Sequence, residues 1–381
     1  MLSADCITGL NEYFGTTTTV DNLNVIFFTK YTTDGASSRY RSYQYFPALA
    51  AAGVSVTVFP LLDGDHLAHK HFSGRVQKVN VFFALVRRLK AVLTTPRGSV
   101  VCIEYELFPW FPALLERWLV WRGCRLVADY DDALFHQYDK HSNPLVRKLL
   151  GKKIATVMQI AQKVCVGNEY LANYARQAGA VNVELVPTVV DLSRYETKEY
   201  EQDAARQNPI FTIGWIGSPS TKNYLHSIAP ALAEVFKDGS TRLRLIGSGP
   251  IFLQNVPSEL VNWNESTEVE EMRKFDIGIM PLPDEPWAHG KCGLKLIQYM
   301  ACALPVVASP IGVNAKIVTE GVNGHLASTI EEWVQAINNL KTDYIARQRM
   351  GMLGRQRVED QYCLQVTAPK WIAILQSLKS D

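Results

Sequence analysis

The chain has 381 residues, of which 47% are hydrophobic and 20% charged, and its formal net charge is +2. This length suits two ordinary domains, and the composition excludes a disordered chain, a collagen-like repeat and a strongly basic nucleic-acid packing protein. No stretch approaches the ~18 consecutive apolar residues of a membrane-spanning helix, and the first residues do not resemble a secretory signal. Seven cysteines without a C-x-x-C pair fit neither a disulfide framework nor a zinc site, which predicts a reduced, cytoplasmic protein.

The near-neutral charge conceals two unlike halves. Residues 1–190 carry 20 basic and 15 acidic side chains, whereas the remainder carries 19 and 22. Residues 66–100 hold seven Lys or Arg and no acid, and residues 140–168 hold six and no acid. Both segments also have apolar residues at helical spacing, at Val79, Phe82, Phe83, Val86, Leu89 and Leu93, and at Leu145, Leu149, Ile154, Val157 and Ile160. Two interpretations remain open: core helices with solvated basic faces, or a surface for an anionic partner such as a lipid headgroup layer.

Strands and helices alternate along the chain, and the alternation restarts after a polar stretch at 191–209. The predicted strands are 24–29, 54–59, 100–103, 125–128, 164–166 and 183–186, then 211–216, 243–246, 276–280 and 305–308. The predicted helices are 43–52 and 113–121, then 224–236, 269–274 and 294–302. Strands separated by helices form parallel, doubly wound sheets, so the sequence predicts two α/β domains facing a cleft.

Ligands of such sheets bind beyond the carboxyl ends of the strands, where residues 290–309 run from a glycine loop into a helix and a buried strand. Lys291 precedes this helix and Lys295 lies in its first turn, and both oppose the helix dipole. An anion such as a pyrophosphate would relieve that cost, although both lysines could also point into water. The loop 214–222, with two glycines, three hydroxyls and Lys222, could bring its backbone close to a phosphate.

Polar loops also follow the strands of the first half. Residues 34–41 form a loop with cations, and Glu104 and the pair Asp131 and Asp132 follow later strands. Carboxylates collected at one sheet edge can act as acid or base, or bind sugar hydroxyls or metal. An alternative for Asp132 is a helix N-cap. The histidines at 66, 69 and 71 have no cysteine partners, so no metal site is expected there.

These motifs together resemble the retaining nucleotide-sugar glycosyltransferases of family 4, which have the GT-B architecture of two Rossmann-like domains. The resemblance spans almost the whole chain, through residues 35–41, 53–59, 186–191, 211–222, 276–283, 290–314 and 356–377. It implies an acceptor-side domain at 1–190 and a linker at 191–209. A nucleotide-sugar-binding domain would follow at 210–355, with helices crossing back to the first domain at 356–381.

The resemblance also assigns roles to individual residues. Donor-binding residues would be Gly217, Ser218, Lys222, Lys291, Gly293, Lys295 and Gln298. Catalytic residues would be Asp131, Asp132 and Glu285, and acceptor-side residues Gly35, Ser37, Arg39 and Glu104. No metal or other cofactor is implied. The chain departs from the family where Gly290 and Gln298 occupy the places of a glutamate pair, and where Ser218 lies near the place of a phosphate-binding arginine.

The implied reaction is transfer of a sugar, with retention, from a nucleotide diphosphate to an acceptor hydroxyl. A glycan or glycolipid acceptor of lipopolysaccharide or other cell-surface polysaccharide synthesis would bring the enzyme to the inner face of the cytoplasmic membrane. Residues 66–100 and 140–168 would then meet that anionic surface. Two alternatives remain: a GT-B-like protein that binds a nucleotide sugar without transferring it, and an NAD-dependent dehydrogenase, which the missing G-x-G-x-x-G disfavours. No basic module with interleaved aromatic residues indicates a nucleic-acid partner.

Overall fold

The computed structural model describes residues 23–62, 78–200 and 210–379. The strands are β1 Leu23–Tyr31, β2 Val54–Leu62, β3 Val100–Glu104, β4 Arg125–Tyr130, β5 Lys163–Val166 and β6 Val183–Leu185, then β7 Phe211–Ile216, β8 Thr241–Ile246, β9 Ser258–Val261, β10 Ile277–Met280, β11 Val306–Ala308 and β12 Gly324–Leu326. The histidines at 66, 69 and 71 lie outside the described residues, as do residues 201–209 of the predicted linker.

The helices complete the alternation that the sequence predicts. In the first half they are α1 Ala36–Arg41, α2 Phe46–Ala51, α3 Lys78–Thr94, α4 Leu114–Trp121, α5 His136–Asp139, α6 Pro144–Leu150, α7 Lys153–Ile160 and α8 Glu169–Gln177. In the second half they are α9 Ala229–Val235, α10 Glu268–Arg273, α11 Pro286–His289, α12 Leu294–Ala301, α13 Asn314–Ile317, α14 Ile330–Thr342, α15 Tyr344–Gln361 and α16 Leu364–Gln376.

The first sheet is six-stranded and parallel, in the order β2-β1-β3-β4-β5-β6. Alternate residues of its strands point to opposite faces, as the two-residue period of a strand requires. One face packs against α3, α4, α7 and α8 through residues such as Val92, Leu119 and Val157. The other face packs against α2 and α16, where Trp371 is buried. The predicted doubly wound sheet is therefore confirmed.

The second sheet is also parallel, in the order β12-β11-β10-β7-β8-β9. Its four inner strands were expected, but the short edge strands β9 and β12 carry too few β-branched residues to be recognised from sequence. Glycines in the central strands let large rings press onto the sheet: a Cβ at Gly214 would overlap Phe275, and one at Gly278 would overlap Tyr299. The core of this domain thus depends on two glycines within strands.

The end of the chain returns to the first sheet. The Leu364 backbone N–H donates to the Val190 carbonyl at 2.8 Å. The hydroxyls of Tyr45 and Thr367 lie 3.0 Å apart, and the Trp371 ring packs 5.9 Å from that of Tyr45. The second connection between the domains therefore runs along α16, which buries its apolar side on the sheet face opposite α3.

Helix α3 differs from the core-helix interpretation. Phe82 and Phe83 are 62% and 64% exposed, and Val86, Leu89 and Leu93 are also exposed. The side turned to the sheet carries smaller residues together with the buried Arg88, which donates to the carbonyl of Thr29 at the carboxyl end of β1. Residues 140–168 form two helices rather than one, with Leu145 and Leu149 exposed and Ile154 and Val157 buried. Among the described residues, no helix combines the length and apolar character needed to cross a membrane.

Candidate active site

The centre of the candidate site is the N-terminus of α12. Gly293 is its N-cap and has a left-handed φ of 71°, and a Cβ there would overlap the Ile317 side chain. Lys295 follows in the first turn, with its ammonium 4.0 Å from the centre of the Trp215 ring and 3.3 Å from the Thr221 hydroxyl. Neither contact carries a negative charge. Burial, and secondly the positive charge of Lys291, lower the pKa of Lys295 to about 7.

Glycine loops that follow β7 and β8 enclose this lysine. A Cβ at Gly217 would come within 2.7 Å of the Lys295 ammonium and 2.5 Å of the Trp215 ring, so the space for the lysine exists because residue 217 is glycine. Gly247 lies against the Gly217 carbonyl, with a left-handed φ of 75°. Lys222 donates to the Pro250 carbonyl and ties the two loops together. Of the predicted donor-binding residues in the β7 loop, Gly217 therefore lies against Lys295 at the start of α12, and Lys222 contacts the loop after β8.

Ser218 lies in the same β7 loop, where its hydroxyl pairs with that of Ser220 at 2.7 Å. Glu285 stands at the other rim of the site, exposed, as the N-cap of α11. Burial is the main cause of the raised pKa of the Tyr224 phenol. The charge of Lys291 lowers that pKa, and the charges of Asp132 and Glu285 raise it further. Tyr224 therefore lies among the charged groups that line the cleft.

The first domain contributes carboxylates from the end of β4. Asp131 accepts a hydrogen bond from the Tyr105 hydroxyl. Burial raises the pKa of Asp131 to about 6, against the opposing effect of the Arg41 charge. Arg41 is itself engaged by Asp129, which accepts its Nε at 2.9 Å in a buried ion pair. Arg41 thus forms its ion pair with Asp129 rather than with Asp131.

Three contacts hold the two domains together beside this edge. Lys291 donates to Asp132 Oδ2 at 2.6 Å; burial lowers the pKa of Lys291, but Asp132 raises it and the net shift is upward. The Asn168 amide donates to the carbonyls of Gly290 and Lys291 at 3.0 Å each. A Cβ at Gly290 would overlap the Ala133 methyl and lie 2.7 Å from its backbone nitrogen. The interpretation in which both lysines point into water is therefore wrong.

Gln298 lies deeper in the interface. Its amide donates to the hydroxyls of Tyr40 and Tyr195, each at 3.1 Å. Tyr40 in turn donates to Glu268, which also accepts the indole N–H of Trp263 at 2.7 Å. The side chain expected to contact a ribose thus belongs, in this arrangement, to a buried hydrogen-bond network that joins α1 of the first domain to the second.

Of the predicted acceptor-side residues, Gly35 is the N-cap of α1, Ser37 and Arg39 lie within that helix rather than in the predicted loop, and Glu104 ends β3. Glu104 accepts from the hydroxyls of Ser37 and Ser38 at 2.6 Å each, and from the Lys30 backbone N–H at 2.9 Å. Burial raises the pKa of Glu104, and the serine hydrogen bonds oppose that rise. Glu104 therefore fixes the loop between β1 and α1. A Cβ at Gly35 would overlap Tyr31, so the turn also requires glycine.

Arg39 extends from α1 towards the second domain. Its guanidinium lies 4.9 Å from the centre of the Trp263 ring and 3.5 Å from a Glu265 carboxylate oxygen. It also donates to the Thr33 carbonyl at 2.9 Å. Arg39 thus links α1 to the loop that follows β9.

Comparisons with known proteins agree with this geometry. Residues 210–343 match the family model described as glycosyl transferases group 1. Within the second half of the chain, therefore, lies a glycosyl transferases group 1 domain.

A curated relative, the probable sucrose-phosphate synthase of Thermosipho melanesiensis, is 31% identical over 84 residues, which are 22% of this chain and 19% of that protein. Among solved structures, the sucrose-phosphate synthase from Thermosynechococcus elongatus superposes with a TM-score of 0.69 at 17% identity, covering 93% of this chain and 99% of that one. Anabaena HepE in complex with UDP gives 0.64 at 16%, covering 93% and 100%. The fold is accordingly that of GT-B glycosyltransferases, and the matched stretch is about a fifth of the curated relative's length.

Four residues that the sequence interpretation did not single out contact the predicted site residues Glu104, Asp131, Lys291 and Arg39. Lys30 is the last residue but one of β1, and Tyr105 directly follows β3. Asn168 comes shortly after β5, and Trp263 shortly after β9. Each lies at the carboxyl end of a strand, and that position is a usable signal in such sheets. Their roles depend on the facing domain, however, because Asn168 contacts residues more than a hundred positions away. Within the described ranges, no cluster of three or more His, Cys, Asp or Glu side chains is arranged to hold a metal ion.

Asn168 offers a separable test of the interface with the group 1 domain. Its amide oxygen caps α8 by accepting the Leu171 N–H at 3.0 Å, while its NH₂ group makes the interdomain bonds. Asn168→Asp keeps the cap but replaces the donor by a charge facing two carbonyls. We expect the free energy of unfolding to fall by no more than about 1 kcal/mol, and the domains to separate, which small-angle scattering measures as a larger radius of gyration. Asn168→Ala is the control, because it loses cap and donor together. An unchanged radius in both variants would contradict the assignment of Asn168 as an interdomain contact.

Proposed function

We propose that the protein transfers a sugar from a nucleotide diphosphate to an acceptor hydroxyl, with retention at the anomeric carbon. The observation that carries the proposal is the Lys295 ammonium, which lies beneath a glycine loop at the N-terminus of α12 with only a hydroxyl and a ring as its described contacts. A partly buried cation without a negative partner is costly, and a diphosphate bound at this helix end would remove the cost.

The diphosphate would receive positive charge from several directions. The free N–H groups at the start of α12 point out of the helix, and Lys295 lies within its first turn. Lys222 lies in the adjoining loop and Lys291 at the domain interface. As the sugar–oxygen bond breaks, negative charge grows on the departing diphosphate, and these groups stabilise it. We propose that they do so without a metal ion or other cofactor.

The sugar and acceptor would lie between α12 and the end of β4. Asp131 can accept a hydrogen bond from a hydroxyl in the cleft, since its pKa of about 6 leaves it largely ionised at neutral pH. Asp132 has a different role in this proposal, because its carboxylate holds Lys291 and thereby aligns the domains. Glu285 lies at the rim of the cleft, where it can contact the sugar from the solvent side. The acceptor would enter past the loop fixed by Glu104, and the closed interface would exclude water.

The acceptor is proposed to be a glycan or glycolipid of cell-surface polysaccharide synthesis, such as lipopolysaccharide, handled at the inner face of the cytoplasmic membrane. The support is the surface of the first domain, where large apolar side chains of α3 are exposed beside basic ones. UDP-sugars are the first donors to test, because HepE, which shares the fold, was solved in complex with UDP.

The proposal is tested by thermal unfolding in the presence of UDP, GDP, ADP or CMP and of their sugars. We expect one nucleotide diphosphate to raise the midpoint by several degrees at saturation, since ligand at about 100 times its Kd adds about 2.7 kcal/mol. The sugar of that nucleotide should then be consumed when an acceptor extract is added. Binding without consumption would instead support a non-catalytic nucleotide-sugar-binding protein, and stabilisation by NAD alone would support a dehydrogenase.

A further inference from the structure

The helix layer on one face of the first sheet carries an apolar surface with nothing packed on it in the described chain. Five large side chains of α3 are exposed: Phe82, Phe83, Val86, Leu89 and Leu93. The sequence pattern alone would turn this stripe to the sheet. Arg88 prevents that rotation, because it donates to the Thr29 carbonyl and lies 5.1 Å from the centre of the Phe28 ring.

Helix α4 continues this surface. Trp121 is 75% exposed at its end, and the adjoining Arg122 donates to the Leu93 carbonyl of α3 at 3.2 Å. At its start, the exposed Leu114 shares a shallow cavity of about 260 Å³ with Leu149. The apolar side chains of α3, α4 and α6 therefore form one outer face of the helix layer, which we name the α3–α4 face.

The charge of this face has one sign. Between residues 78 and 128 the acids are Glu104, Glu106 and Glu116, and all three are buried. Exposed basic residues border the apolar side chains, at Arg87, Lys90, Arg97 and Arg117. A symmetric contact between two copies of this face would bring like charges together, which disfavours a second copy as the occupant. Apolar rings flanked by cations instead match a bilayer interface with anionic headgroups.

We propose that the α3–α4 face docks on an anionic lipid bilayer, with Phe82 and Phe83 inserted among the lipids. Arg88 is bonded near the carboxyl end of β1, and α3 runs antiparallel to the strands. Phe82 therefore lies about 9 Å from Arg88 along the helix axis, at 1.5 Å per residue, in the direction of the carboxyl edge of the sheet. The docked protein would hold the mouth of its cleft at the lipid surface. Docking would serve a lipid-linked acceptor if the proposed transfer holds, but it needs neither donor nor acceptor.

The test is sedimentation of the full chain with vesicles of phosphatidylcholine, alone or with about 30% phosphatidylglycerol, at low salt. We expect binding to the anionic vesicles only, and a loss of about tenfold or more in affinity for Phe82→Ser/Phe83→Ser and for Arg87→Glu/Lys90→Glu. The matched controls are Phe252→Ser and Lys316→Glu, because both side chains are exposed on the second domain. They should bind as the unaltered chain does.

The proposal would be overturned by no binding to anionic vesicles, by equal binding to both compositions, or by equal losses in the control variants. A dimer that ultracentrifugation detects and that Phe82→Ser/Phe83→Ser abolishes would assign the face to a second copy, and would overturn it as well. Because Phe82 and Phe83 lie outside the nucleotide site, both double variants should keep the thermal stabilisation by nucleotide. That measurement separates a failure of docking from a failure of the proposed transfer.

Discussion

Lys295→Met is expected to lower the rate of sugar transfer by about 10²–10³-fold, because it removes a positive group from the site where diphosphate charge develops. Nucleotide-diphosphate affinity should fall by about tenfold or more, the cost of losing one charge-assisted hydrogen bond. The fold should persist, since the ammonium destabilises the unliganded folded protein rather than stabilising it. Its contacts are the Thr221 hydroxyl and the Trp215 ring.

The same lysine makes nucleotide binding depend on pH. The pKa of Lys295 is lowered from 10.5 to about 7 in the unliganded protein, and a bound diphosphate must raise it again. Binding therefore takes up a proton above pH 7, and affinity falls as the pH rises from 7, by up to tenfold per unit, until the pKa of the complex is reached. Phosphate groups, with a second pKa of about 6, are already ionised in this window.

The direction in which stability changes with pH follows from the same pKa shift of Lys295. A lysine whose pKa is lowered by folding destabilises the folded state most below pH 7, and this penalty disappears as the pH rises towards 10.5. Lys295→Met should remove both pH dependences. Isothermal titration calorimetry from pH 7 to 9 in two buffers of different ionisation enthalpy measures the proton uptake. Lys222→Met is the control: it should bind more weakly at every pH with the same slope. Proton uptake that persists in Lys295→Met would refute the assignment.

Gly290→Glu is expected to lower transfer by about a hundredfold, although it supplies the glutamate that the resemblance to family 4 implies at this place. Any Cβ here would overlap the Ala133 methyl across the domain interface. The cheapest relief is separation of the domains, which also stretches the Lys291–Asp132 ion pair and the bonds from Asn168. A displacement of about 1 Å can cost about 10²-fold in rate.

Nucleotide binding provides the internal control for this variant. The N-terminus of α12 and Lys295 belong to the second domain, so thermal stabilisation by nucleotide should persist while transfer falls. Gly290→Ala should lose nearly as much activity, because the first side-chain atom causes the overlap. Adding Ala133→Gly should restore part of it, since the methyl is removed but the backbone nitrogen remains 2.7 Å away. Faster transfer by Gly290→Glu would show that the domains align differently in the working enzyme.

The fit between Gly290 and Ala133 gives a physical reason for the missing glutamate. With the domains joined as observed, the position is filled by the first domain, and Lys291 and Asn168 hold the loop in place. Gln298 is similarly engaged by two tyrosine hydroxyls, which an amide can satisfy without burying a charge. The departures from the family pattern therefore coincide with the closed interface.

Local pattern was enough to place ten of the twelve strands and several helices of the described chain. The run of β7 and the central five residues of β1 are buried and rich in β-branched and aromatic residues, so they are recognisable as parallel strands without any tertiary information. The glycine loop before α12 and its two lysines were also visible, because an unfavourable charge at a helix end signals an absent partner.

Tertiary structure alone decided what each charge and each apolar face does. Lys291 and Lys295 have similar settings in the sequence, yet Lys291 is paired across the cleft with Asp132 and Lys295 lies partly buried over the Trp215 ring. The net charge of +2 likewise gave no indication of the exposed apolar face of α3. Periodicity assigns that face to the core, whereas Arg88 turns it outward. Periodicity records which residues share a face, whereas the element that covers a face depends on contacts between distant parts of the chain.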